Sequence, residues 1–309
     1  MIILKDTRFL SRLKVDMKKN YPLYILFIPV FLFFVIFCYV PMGWLAMSFF
    51  DYVPRLGFEG SEFVGFKWFS DFFVKRDGWR LIKNTFVLNV WDLMFSFGSP
   101  IILALMFFEV ANKKVRNVLQ TITYLPHFIS LVVVCGMIVQ FCKSDGLFSN
   151  IANALFNKEP SNILDKTSAY IPIFVISQIW QEVGFASVIY FAALCSVDTQ
   201  LFDAAKIDGA GKFTQIFKIT IPSIMPTIIV MFILRMGGML NVGFEKAFLL
   251  QTPLNSSISE VISTHVYNVG LKAQNYGYGT AIGLFNAIIN LIFLLITNYL
   301  SKKTETSLF

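Results

Sequence analysis

Six stretches of this chain run for more than twenty residues with at most one charged side chain. No other feature limits its folding as much. They cover about residues 21–50, 84–108, 117–142, 170–196, 220–244 and 277–300. Three carry no charge, and the other three carry only Asp92, Glu182 and Arg235 in turn. About 20 apolar residues are enough for a helix to cross a bilayer. A helix also pairs its own backbone N–H and C=O groups, which lipid cannot do for it. The composition agrees, with 56% hydrophobic and only 15% charged residues, against about 25% charged in soluble domains. The expectation is an all-α polytopic membrane protein with six transmembrane helices. The first run is too long for the 7–15-residue apolar region of a cleaved signal peptide, so it reads as a span.

The charges between the spans suggest an orientation. Fourteen Lys and Arg fall in the N-terminal segment 1–20, the two even-numbered loops and the tail 302–309, and eleven fall in the three longer loops of the other side. Short loops dense in Lys and Arg stay in the cytoplasm. Both termini are therefore expected inside a bacterial cell membrane, with residues 21–301 forming the membrane domain. The net charge of +7 then needs no nucleic acid to explain it. The four cysteines lie in or beside apolar segments without metal spacing or a disulfide framework. His127 and His265 alone do not make a metal site. The outer segment from Asp51 to Lys83, rich in Phe and Trp, reads as an amphipathic element at the outer interface, with ligand capture by its rings as the alternative.

The cytoplasmic loop 197–222 contains DGAGKFTQIFKITIP, which at first suggests a phosphate-binding loop. That motif needs glycine five residues before Gly211 and Ser or Thr after Lys212. Lys206 and Phe213 occupy those places, so this chain is expected to bind no nucleotide here. The loop reads instead as two short helices around a tight turn. Asp198 or Thr199 can cap the first helix, and Asp203 suits its early turns. Gly209 can supply the left-handed residue that ends it. The second helix carries Phe213, Ile216, Phe217 and Ile219, with Pro222 and Pro226 at the entry to the fifth span. Such a loop either packs on its own bundle or presents an apolar docking surface to a cytosolic partner.

The run Asp203-Ala204-Ala205-Lys206-Ile207-Asp208-Gly209-Ala210, followed by Phe217, Ile219 and Ile221-Pro222, resembles the EAA loop of permease subunits of ABC importers. Asp203 stands where that pattern has Glu, which keeps the charge on a shorter arm. Trp180 and Gly184 with Tyr190-Phe191-Ala192-Ala193-Leu194 resemble the span before this loop in the maltose-type, carbohydrate-uptake branch. Tyr39-Val40-Pro41-Met42-Gly43, Phe50-Asp51-Tyr52 and Phe63-Val64-Gly65-Phe66 resemble a polysaccharide- and oligosaccharide-importing subgroup of Gram-positive bacteria. The resemblance implies a type I ABC importer permease fold and the import of an oligosaccharide. It makes the first loop helix a coupling helix seated in an ATPase subunit, with Asp203, Ala204, Ala205, Asp208, Gly209, Ala210, Phe213 and Phe217 as its coupling residues. It also implies a second permease, here a different one, two ATP-binding cassette subunits that hold ATP and magnesium, and an extracellular solute-binding lipoprotein. The chain itself would then be neither an enzyme nor a cofactor protein.

Charged groups at membrane depth cost at least about 2.5–3.5 kcal/mol and so face protein or water. Asp92, Glu182 and Arg235 are candidates for the substrate pathway, or for an internal pair of Arg235 with either acid. Gln178, Trp180, Gln181 and Glu182 offer sugar-binding chemistry on the fourth span, and Asn241 with its neighbouring glycines does so at the end of the fifth. Asn286 and Asn290 share a face of the sixth span, for sugar contact or for interhelical bonding. Gly279 and Gly283 form a close-packing G-x-x-x-G. A secondary transporter that uses Asp92 and Glu182 as ion sites is the competing class, but no internal repeat accompanies them. A membrane enzyme would need a His or acidic cluster at one interface, and the sequence has none.

Overall fold

The computed structural model describes residues 15–74, 76–156, 159–240 and 243–302. Helix α1 (Tyr21–Phe49) leads into a two-stranded antiparallel ribbon, β1 (Phe50–Asp51) with β2 (Glu62–Phe63). Then come α2 (Lys67–Val74), α3 (Asp77–Glu109), α4 (Lys113–Tyr124), α5 (Leu131–Cys142) and α6 (Leu147–Phe156). Helix α7 (Thr167–Cys195) is the central span, followed by α8 (Thr199–Ile207) and α9 (Lys212–Met236). Three short helices follow, α10 (Phe244–Leu249), α11 (Ser256–Ser259) and α12 (Ile262–Val266), before α13 (Tyr276–Ser301). Six of these segments are long and apolar enough to cross a membrane: α1, α3, Leu131–Leu155, α7, α9 and α13.

Proline shapes three of the spans in the same way. A proline in a helix lacks an N–H, and its ring clashes with the carbonyl four residues back. A widened π turn lies just ahead of Pro41 (Val35–Tyr39), of Pro100 (Leu93–Phe97) and of Pro222 (Ile216–Thr220). In each case the carbonyl that would clash, at Phe37, Ser96 or Lys218, belongs to the widened turn, where the ladder is already out of register. The turn before Pro222 has a consequence for the loop. The second loop helix does not stop short of the fifth span but runs into it, so α9 is continuous from Lys212.

The stretch 117–142 is not one helix. It breaks at Leu125–Ser130, where Pro126 sits in a short 3₁₀ turn, and resumes as the 12-residue α5. Twelve residues rise only about 18 Å, so this crossing is assembled from pieces. The piece before the break, α4, crosses α7 at close range: a side chain at Gly184 would collide with the carbonyl oxygen of Thr123.

Among the described residues three apolar clusters hold the bundle. One joins α3, α5, α7 and α10 through Leu88, Cys135, Tyr170, Phe174 and Ala247. A second packs Trp68 and Phe72 of α2 on Tyr278, Ala281 and Ile282 of α13. The third joins α3, α7 and α9 through Ala104, Tyr190, Leu194 and Ile224. The aromatic segment 51–83 is thus anchored in the bundle by α2, and Trp68 donates its indole N–H to Phe50 O at 2.9 Å. Phe63 and Phe66 remain exposed. Of the two glycines in the G-x-x-x-G, Gly279 packs on Gly270 of this same chain, while Gly283 meets nothing. Helix α1 buries no side chain between Tyr21 and Val40.

Candidate functional site

The first candidate site is the loop between α7 and α9. Asp198 caps α8, its carboxylate accepting the Gln200 N–H at 2.9 Å. The helix ends at Gly209, whose φ of +74° is the left-handed conformation that Cβ-bearing residues avoid. Ala210 N–H bonds back to Ala205 O at 2.8 Å and Gly209 N–H to Lys206 O at 3.1 Å, which satisfies the carbonyls of the last turn. Gln215 then donates its amide to Ala210 O at 2.8 Å and ties the turn to α9.

Of the loop's apolar residues, Phe202 packs on Phe108 at the end of α3, and the Lys212–Glu109 ion pair holds α9 to the same place. Ile216 and Ile219 are half-buried, whereas Ile207 is 87% exposed, Phe213 79% and Phe217 66%. Among the described residues Asp203 pairs only with Lys206, one turn on, at 3.0 Å, and both are exposed. Such a surface pair is worth a few tenths of a kcal/mol, so Asp203 can exchange it for another cation at little cost. Ala204 and Asp208 lie on the exposed side of α8, with Ala205 half-buried.

The second candidate site lies inside the bundle. Gln178 and Glu182, four apart on α7, line one cavity of about 290 Å³ together with Ser96 of α3, Tyr190 of α7 and Arg235 of α9. Arg235 makes an ion pair with Asp92, so of the two acids open to it in sequence it takes the one on α3. Ser96 donates its hydroxyl to the other Asp92 oxygen at 2.8 Å. Asp92 is 6% exposed, while half of the Arg235 side chain remains open. Glu182 is held by His127 Nδ1 at 2.8 Å, and that ring stacks flat on Phe185 at 4.0 Å.

Trp180 is not part of this cavity. Two residues from Gln178, it points the other way around α7 and lies with Val134, Phe141 and Phe148 in an apolar groove. Gln181 is buried and donates to Ile129 O at 3.1 Å, a bond that secures the start of α5. Asn290 accepts the Leu240 N–H at 2.8 Å and so pins the end of the fifth span to the sixth. Asn286 is half-buried on the same face of α13, and Asn241 lies outside the described residues.

Sequence reasoning missed Lys246. On α10, between the fifth and sixth spans, it is 1% exposed, with its ammonium 3.0 Å from Gln178 Oε1 and 4.9 Å from the centre of the Phe174 ring. Burial pulls its pKa down to about 8, opposed by the nearby carboxylates of Asp92 and Glu182. The apolar run around it (Phe244, Ala247, Phe248, Leu249, Leu250) was the available signal that this loop turns inward. His127 was weighed only as a metal ligand. Its role as the partner of Glu182 needed the fold.

The profile described as binding-protein-dependent transport system inner membrane component matches residues 96–306. Over 290 residues the chain is 40% identical to protein LplB of Bacillus subtilis, covering 94% of this chain and 91% of LplB. It is 38% identical over 303 residues to the polygalacturonan/rhamnogalacturonan transport system permease protein YteP of the same organism, covering 98% and 94%. Among solved structures it is similar to a chain of a bacterial alginate ABC transporter in complex with an alginate pentasaccharide-bound periplasmic protein. There the TM-score is 0.88 with 38% identity, over 96% of this chain and 99% of the other.

Proposed function

The chain belongs to the binding-protein-dependent transport system inner membrane components, and on that premise we propose that it works as follows. It is the multi-pass permease of an ABC importer that takes an oligosaccharide from an external binding protein into the cell. Both termini and the α8 loop lie in the cytoplasm. Two ATP-binding cassette subunits bind there and hold the ATP and magnesium, while this chain hydrolyses nothing. A second, different permease completes the pathway, and a solute-binding lipoprotein delivers the sugar from outside.

The observation that carries this reading is the α8 loop. Its capped helix, left-handed Gly209 turn and exposed Ile207, Phe213 and Phe217 form a built surface that no described residue of its own bundle covers. Exposed apolar patches of this kind mark interaction sites. Because α9 continues from the loop through its π turn into the fifth span, a push on α8 and Lys212 is transmitted to Arg235 at the cavity wall. That is the route by which ATP-driven closure of the partner subunits moves the spans. The ion-gradient alternative is weaker, since Asp92 and Glu182 each already face a basic group.

The test is composition and activity together. Affinity purification of the full chain from its native membrane, in mild detergent, should bring down a second permease and an ATPase, with ATP hydrolysis in the complex and none in this chain alone. ATP hydrolysis by the isolated chain, or uptake that survives ATP depletion and collapses with the proton gradient, would overturn the reading.

A further inference from the structure

Tyr170, Phe174, Gln178 and Glu182 follow one another at four-residue intervals and form one inclined row along α7. Lys246 lies between the second and the third: its Nζ is 3.0 Å from Gln178 Oε1 and 4.9 Å from the centre of the Phe174 ring. The first member of the row stands apart. Tyr170 is fully buried, and its hydroxyl has no hydrogen-bond partner among the described residues. A buried hydroxyl left unpaired is costly, and phenylalanine would fill the same space without that cost. The unpaired oxygen marks a partner that this arrangement does not supply.

Helix α10 is fixed at one end only. Asn255 is fully buried and donates its amide to Leu250 O at 3.2 Å and to Leu164 O, just ahead of α7, at 2.9 Å. At the other end, a side chain at Gly243 would meet nothing. Lys246 therefore sits toward the looser end of a short helix held at Leu250. Along α7 the cavity wall begins at Gln178 and runs to Tyr190. With α7 entering from outside, the Lys246–Gln178 bond closes the outer end of that cavity.

We propose that Lys246 is the latch of the cavity's outer gate, holding Gln178 in this closed state and passing over the Phe174 ring to the Tyr170 hydroxyl when the gate opens outward. The inference rests on the importer reading above, through the orientation of α7 and the two states that transport requires. From Gln178 to Tyr170 is eight residues, a rise of about 12 Å. A tilt of α10 about Leu250 and the swing of the flexible lysine stem share that distance. The Phe174 face offers the amine a contact on the way. Gln178, once released, borders the cavity and turns to its water.

The test follows Cys135, which is 1% exposed and packs in one cluster with Ala247 and Leu250 of α10. Lifting α10 uncovers it. Intact cells that carry the complete importer are treated with a membrane-impermeant maleimide, and peptide mass mapping reads the labelling rate of Cys135. Tyr170→Phe removes the open-state partner and should slow labelling severalfold. Gln178→Met removes the closed-state partner and should speed it severalfold. A general loosening of the bundle would speed both. The melting midpoint of Tyr170→Phe should equal or exceed that of the wild type, since only an unpaired hydroxyl is lost. Tyr170→Phe that labels no slower or melts lower than wild type, Gln178→Met that labels no faster, or a wild type in which Cys135 never labels would overturn the proposal and leave the importer reading standing. Wild-type labelling that ignores ATP depletion would overturn the importer reading and the proposal with it.

Discussion

Replacing Arg235 with Gln removes the cation from an ion pair whose two halves differ in burial, and the effect should depend on which half is changed. Asp92 is 6% exposed and sits between α3 and α9, while half of the Arg235 side chain faces open space. Arg235→Gln leaves a buried carboxylate with Ser96 as its hydrogen-bond donor. Removing one partner of a buried pair costs about 3–5 kcal/mol, because the remaining charge is uncompensated. Asp92→Asn leaves a guanidinium that can turn to water. Its cost is nearer that of an exposed pair, about 0–1 kcal/mol, plus a weakened bond from Ser96. The expected difference between the two single variants is therefore about 2–4 kcal/mol. The double variant Asp92→Asn/Arg235→Gln should recover most of the larger loss. Thermal unfolding of the detergent-solubilised protein, followed as a double-mutant cycle, measures this directly. Equal losses in the two single variants, or a double variant whose loss is their sum, would refute the reasoning.

Gly184→Val should be more damaging than its surroundings suggest, since the new Cβ collides with backbone at Thr123. A loss of about 1–3 kcal/mol or more, read as a lower melting midpoint, is expected as α4 is forced off α7. Gly209→Ala meets no atom and changes only the backbone preference. Its left-handed φ should cost about 1–2 kcal/mol in the loop and weaken coupling without affecting membrane insertion. At the far end of the bundle, His265 first and Arg80 second hold the Glu260 carboxyl below its usual pKa. That stabilisation is full above the unfolded value of about 4.3 and is lost as pH falls through the lower folded value. The melting midpoint of Glu260→Gln should therefore depend less on pH between 7 and 3 than that of the wild type.

Much of the architecture could be read before the structure because the deciding features are local. Five of the six apolar runs fold as single long helices, the run 117–142 being the exception. The cap, the short helix and the glycine turn of the α8 loop lie within a dozen residues of one another. Charge counting could not find the break at Pro126, because a missing N–H leaves no trace in hydropathy. Taking Pro222 as the entry to the fifth span also divided α9, where a π turn absorbs the proline. The cavity was half legible. Gln178 and Glu182 share a face by their four-residue spacing, and the same periodicity places Trp180 on the opposite side, a signal present but unused. Which acid Arg235 takes, and the burial of Lys246 against Gln178, are tertiary facts that no spacing encodes.

The central claim is that the α8 loop transmits a partner's ATP cycle to the spans. It is tested most directly by sugar uptake and ATPase activity of the reconstituted transporter carrying Asp203→Lys with Gly209→Val. The account predicts a protein that is inserted and assembled in the membrane, with uptake abolished and ATP hydrolysis no longer coupled to it. Uptake at the wild-type rate would contradict it.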